Sequence, residues 1–166
     1  MQLQTDPSKN ILILGIGNYL MADEGVGVHM ARMFETEQLP EGVDVLDGGT
    51  GGFHLLEYFE QYSHVILVDA TLDGLEPGTI RLIKPKFYSD FPAAMSTHDI
   101  GLKDLVGALQ LLNNKTEIHL FVVSIKSIQE QGIELTAPIT NILPELKKRV
   151  ISLIELLTLK QPVLSA

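Results

Sequence analysis

Hydrophobic positions along the chain fall into short unbroken runs separated by stretches of helical spacing. Ile11-Leu12-Ile13-Leu14, Val43 to Asp47, His64 to Asp69, Thr79 to Lys84 and Glu117 to Ile125 are the runs. Their length and β-branched content predict strands, several of them buried on both faces. Between them, apolar residues recur at helical intervals from Gly25 to about Gln38, Phe53 to Gln61, Ile100 to Leu112 and Pro138 to Leu159. In the second of these helices Phe53, Leu56 and Phe59 or Tyr58 are expected to share the inner side. The last is expected to bend or restart at Pro144. Leu72 to Gly78 is too short for a crossover helix, so the strand after it is expected to run antiparallel to its predecessor. The alternation predicts an α/β fold: a single-domain three-layer α/β/α sandwich whose five-stranded, mostly parallel twisted sheet carries helices on both faces. Residues 1–166 read as one domain, with 1–9 a flexible N-terminal extension. Strand order is not encoded in the pattern.

Glycine and acid mark the ends of the strands. Gly15-Ile-Gly17 follows the first, and Asp23 and Glu24 precede the first helix, where carboxylates suit its orphan N–H groups. Gly48-Gly49-Thr50-Gly51-Gly52 follows the second strand and implies a tight turn or a close approach by another backbone. Asp69 ends the third. These positions share the carboxyl edge of the sheet, where open α/β folds bind ligands. The aromatic-rich loop Pro85 to Met95 reads as a wall or lid.

Composition narrows the chemistry. Twelve basic against 21 acidic residues give a net charge of -9, which opposes phosphate backbones and anionic lipid, so neither nucleic acid nor membrane is an expected partner. The chain has no cysteine, which removes disulfides, thiolate nucleophiles and thiolate ligands together. Any metal site must use imidazole, carboxylate or water. The first ten residues lack the pattern of a signal peptide and no apolar run reaches bilayer-spanning length, so a cytoplasmic location is expected.

Dinucleotide binding fails on two counts. Leu20 stands at the third glycine of the fingerprint, and Asp23 and Glu24 would face a pyrophosphate with like charge. A metal site of Glu24, Asp69 and His98 is the second candidate, because each lies just after a strand or at a helix start, and three such ligands leave positions open to water or substrate. Each also has a plain structural reading: Glu24 complementing a helix dipole, Asp69 capping a turn, His98 flanking the third helix. His29 is near enough to approach this site but reads first as a partly buried helix residue. His54, His64 and His119 read as surface or strand-edge positions.

Gly15-Ile-Gly-Asn-Tyr-Leu-Met-Ala-Asp-Glu-Gly-Val-Gly27, Asp47-Gly-Gly-Thr-Gly-Gly52, Val68-Asp69-Ala70 and Thr97-His98-Asp99 together resemble the hydrogenase maturation endopeptidases. The resemblance implies an endopeptidase that trims the C-terminal extension from the large-subunit precursor of a nickel-iron hydrogenase once nickel is inserted. It places the family's metal-contacting residues on Glu24, Asp69 and His98, which would also serve catalysis, and its substrate-recognition segment on Gly48, Gly49, Thr50, Gly51 and Gly52. Nickel would be delivered by the substrate, with none held tightly by the free protein. The expected partner is the precursor and the expected state a monomer. Asp23 or Glu24 is a candidate general base. A nickel-checking chaperone that cuts nothing is the alternative, since the same triad would serve it; a plain nucleotide-binding domain is the third reading.

Overall fold

The computed structural model describes residues 10–86, 88–92, 100–127 and 131–160. The extension expected over residues 1–9 lies outside them. The apolar runs form β1 (Ile11–Gly15), β2 (Val43–Asp47), β3 (His64–Thr71), β4 (Ile80–Ile83) and β5 (Glu117–Ser124). The helical stretches form α1 (Val26–Glu35), α2 (Leu56–Gln61), α3 (Ile100–Leu111) and α4 (Ala137–Leu159). The strands lie in the order β2-β1-β3-β5-β4. All pairs are parallel except β4 with β5. The direction of β4 is the expected one, but its neighbour is β5 and not β3. The link between Thr71 and Ile80 is long enough to step over one strand place, about 10 Å, and β5 enters the gap.

Period-two alternation sorts the core. Ile11, Ile13, Ile66, Val68, Phe121 and Val123 meet Phe34 of α1 and Leu146 and Val150 of α4 on one face. Leu12, Leu14, Val65, Leu67 and Leu120 meet Phe59 of α2 and Val106 and Leu109 of α3 on the other. The result is the three-layer sandwich. Phe34 and Phe59, both fully buried, each contribute roughly 1.5–3 kcal/mol by leaving water.

Three helix details differ from the sequence pattern. α1 stops at Glu35, ahead of Gln38, where the Thr36 hydroxyl donates to the Met33 carbonyl. A 3-10 turn, Phe53–Leu55, precedes α2, and Leu55 and Phe59 face the core one turn apart while Phe53 is 62% exposed. α4 runs unbroken through Pro144, its apolar stripe of Ile139, Leu146, Val150 and Leu153 offsetting the backbone bond that proline removes.

The chain leaves β1 for β2 on one side and returns past β1 to β3 on the other. That reversal makes the gap between β1 and β3 the switch point, where the loops part and a crevice opens at the carboxyl edge.

Candidate active site

Close approach of backbones builds the crevice. A Cβ at Gly27 would lie 2.1 Å from the Val68 carbonyl oxygen and 2.2 Å from that of Ile16; one at Gly15 would lie 2.1 Å from the Gly27 oxygen. The first turn of α1 therefore rests directly on the backbones of the β1 turn and β3. Just ahead of it, the 3-10 turn Ala22–Gly25 carries Asp23 and Glu24, both buried. Val68 precedes Asp69, which is fully buried. So the contact under Gly27 brings the turn bearing Glu24 against the strand bearing Asp69, and these two elements touch. The Ile16 N–H donates to the Val68 carbonyl at 2.9 Å, which carries strand pairing on into the turn. Asp69 Oδ1 accepts the Ala70 N–H at 2.8 Å.

Asp23 points elsewhere. Its carboxylate accepts the Thr136 N–H and the Thr136 hydroxyl, each at 2.7 Å. Thr136 stands immediately before α4, at the end of segment 131–136. That segment is bound alongside the crevice at three further points: Ala22 N–H donates to the Gly132 carbonyl at 2.7 Å, Gly132 N–H to the Leu20 carbonyl at 2.8 Å, and His29 Nε2 lies 2.9 Å from the Ile133 carbonyl. Burial holds the His29 pKa below its usual value against the opposing pull of that carbonyl. No local sequence signal marks Thr136 as a partner of Asp23.

The glycine block lies beside the same turn. Gly48 N–H donates to the Gly15 carbonyl at 2.8 Å, and the Gly49 carbonyl accepts from Gly17 N–H at 2.7 Å. Asp47 closes the corner, its Oδ1 accepting Gly49 N–H at 2.9 Å and its Oδ2 lying 3.3 Å from Arg32 Nε. The Arg32 guanidinium sits 3.9 Å from the centre of the Tyr19 ring, which in turn packs against His29. Gly49 and Gly51 have φ of +55° and +83°, and the space that their side chains would fill is open. Thr50 between them is exposed. The block thus offers bare backbone to whatever enters the crevice.

Glu24 and Asp69 come to one crevice, and Asp23 adjoins it but is turned to Thr136. His98 lies outside the described residues. Of the aromatic loop, Phe91 packs into the core beside α2 and α3, while Phe87 and residues 93–95 lie outside the described residues. Two carboxylates buried together favour a bound cation or a shared proton, since like charges in low dielectric raise one another's cost.

The chain is thus an open-sheet α/β protein with an acidic switch-point crevice and no thiol. The profile of the hydrogenase maturation proteases matches residues 28–153. The hydrogenase 2 maturation protease of Escherichia coli K12 is 31% identical over 145 residues, 86% of this chain and 88% of that protein. The hydrogenase expression/formation protein HupD of Rhizobium leguminosarum bv. viciae is 34% identical over 142 residues, 83% of this chain and 70% of its own length. The structure matches that of the hydrogenase maturating endopeptidase HybD from E. coli with a TM-score of 0.80 at 31% identity, over 88% of this chain and 92% of that one. It matches the [NiFe] hydrogenase maturation protease HybD from Thermococcus kodakarensis with a TM-score of 0.73 at 27% identity, over 87% and 98%.

The chain belongs to the hydrogenase maturation protease family. It is an endopeptidase of hydrogenase maturation, as its opening and glycine motifs had implied.

Proposed function

We propose that this protease reads a nickel ion still held in a nickel-iron hydrogenase large-subunit precursor through Glu24, Asp69 and His98, and hydrolyses the peptide bond that frees the C-terminal extension. The observation that carries the reading is the burial of Glu24 and Asp69 at one switch-point crevice, held there by the contact of Gly27 with Val68. Carboxylate oxygens with one imidazole form a donor set suited to a divalent first-row ion and leave positions for the ligands that the precursor keeps. The Gly48 to Gly52 block borders the crevice, and its backbone from Thr50 to Gly52 is open enough for an extended tail to pair with it. Nickel arrives with the substrate and leaves with it; the crevice retains none, and the protease works as a cytoplasmic monomer. Within the described residues, no helix is long and apolar enough to cross a membrane.

Intact-mass analysis of the precursor tests this. With nickel present, incubation with the protease removes a short C-terminal peptide; without nickel, or with Glu24→Gln or His98→Ala, the precursor mass is unchanged. Cleavage that proceeds equally without nickel would refute the metal reading, and full cleavage by Glu24→Gln would remove Glu24 from the site. A stable complex with no loss of mass under any condition would favour the chaperone.

A further inference from the structure

The opposite edge of the sheet holds a second constellation. His64 opens β3 and Glu117 opens β5, and the two are register partners; His119 lies two residues on, so all three project from the α1 and α4 face. His64 Nδ1 lies 3.3 Å from His119 Nε2 and 3.6 Å from Glu117 Oε2, and His119 Nε2 lies 3.9 Å from the same oxygen. A point equidistant from these three atoms is about 2.1 Å from each, the bond length of zinc-type ions to nitrogen and oxygen. A contraction of a few tenths of an ångström would lift an ion out of their plane and open a fourth position to water. Asp69 is five residues along β3 from His64, about 17 Å, so this cluster is separate from the crevice.

The side chains are in the right chemical state. His119 is buried, contrary to its reading as a surface or strand-edge residue, because β5 lies between β3 and β4. Burial, with His64 and Lys84 nearby, pushes its pKa down to about 4, and burial also lowers that of His64. Both imidazoles are neutral at physiological pH and each has one nitrogen lone pair to give. Without metal, the short nitrogen-nitrogen contact is a hydrogen bond through one ring proton; an ion would take its place once that imidazole carries its proton on the far ring nitrogen. The cations facing the cluster are Lys84, whose Nζ lies 3.0 Å from Glu117 Oε2, and Lys160 at the end of α4. Glu117 is half exposed and has a second oxygen to leave with Lys84.

We propose that His64, Glu117 and His119 form a second metal site, one that takes a single divalent zinc, cobalt or nickel ion and clasps the starts of β3 and β5. The site is independent of the crevice reading and is tested without activity. In full-length, tag-free Glu24→Gln protein, which silences the crevice, cobalt(II) titration followed by visible absorption is expected to show one equivalent bound, displaced by zinc, with a rise in melting temperature. Adding His64→Ala abolishes that uptake, and adding Glu117→Gln weakens it by at least about tenfold. No cobalt uptake by the Glu24→Gln protein at hundred-micromolar metal overturns the proposal, as does uptake unchanged by Glu117→Gln. Glu117 is exposed enough for its glutamine variant to fold, so the test stands even if His64→Ala does not.

Discussion

Asp23 and Thr136 lie 113 positions apart in the chain and are joined by two 2.7 Å hydrogen bonds, from the Thr136 N–H and from its hydroxyl to one carboxylate. Thr136 makes no side-chain cap of its own on α4, so an acid from the β1–α1 turn serves the start of the last helix. The pair is a brace that fixes the neighbour of Glu24.

That brace predicts coupling. Asp23→Ala and Thr136→Val should each cost about 1–3 kcal/mol, because each removes a part-buried hydrogen bond to a carboxylate. Together they should cost clearly less than the sum. Urea denaturation of the four proteins measures this, and additivity to within about 0.5 kcal/mol would disprove the coupling.

Gly27→Ala should destabilise the protein by about 1–3 kcal/mol or more, because its methyl would overlap two carbonyl oxygens that cannot move apart without breaking strand pairing. Precursor cleavage should fall further than the loss of folded protein explains, since the turn holding Glu24 must shift. Gly107→Ala is the control: it stands in α3 with open space around it, and should raise stability by about 0.5–1 kcal/mol without affecting cleavage. A Gly27→Ala protein with parental melting temperature would contradict the packing described.

At Gly51 the obstacle is conformation. With φ at +83° and nothing near the added methyl, Gly51→Ala should cost about 1 kcal/mol in stability. If the precursor's tail lies along this backbone, cleavage should drop about tenfold or more, because the methyl stands in the substrate's path. Unchanged kcat/KM would take Gly51 out of the substrate track.

Asp73 gives the pH dependence a sign. Burial alone would raise its pKa, but the Leu75 N–H, the Ser124 hydroxyl and the Arg81 guanidinium outweigh it and hold the group below its ordinary 3.8. A depressed folded-state pKa stabilises the native form above the unfolded value and loses that contribution as pH falls through the folded one. Asp73→Asn should therefore cost about 1–2 kcal/mol at neutral pH. The gap from the parent should close as pH drops below about 4. Denaturation midpoints at pH 7 and pH 3 measure it; an equal gap at both would exclude the charge as its source.

Much of this was written in local pattern. The five strands came from their apolar runs, and Glu24 and Asp69 were visible as acids at strand ends, because backbone periodicity and turn chemistry act over a few residues. Long-range pairing does not. The place of β4 outside β5, the meeting of His64 with His119, and the bond from Asp23 to Thr136 depend on strand order and register, which a window of ten residues does not contain. Phe53 fell outside the core for a nearer reason: the chain enters α2 through a 3-10 turn, which rotates the inner face to Leu55 and Phe59. His98, the third member of the triad read from sequence, lies outside the described residues.

Glu24 and Asp69 are sealed almost completely from solvent. A free aqueous ion must shed most of its water to reach them, and first-row divalent ions give up that shell at high energetic cost. An ion already stripped and ligated within a folded precursor has met that cost beforehand. On the proposed reading, the depth of the two carboxylates would act as a dehydration filter, disfavouring dissolved metal relative to an ion presented already stripped by another protein.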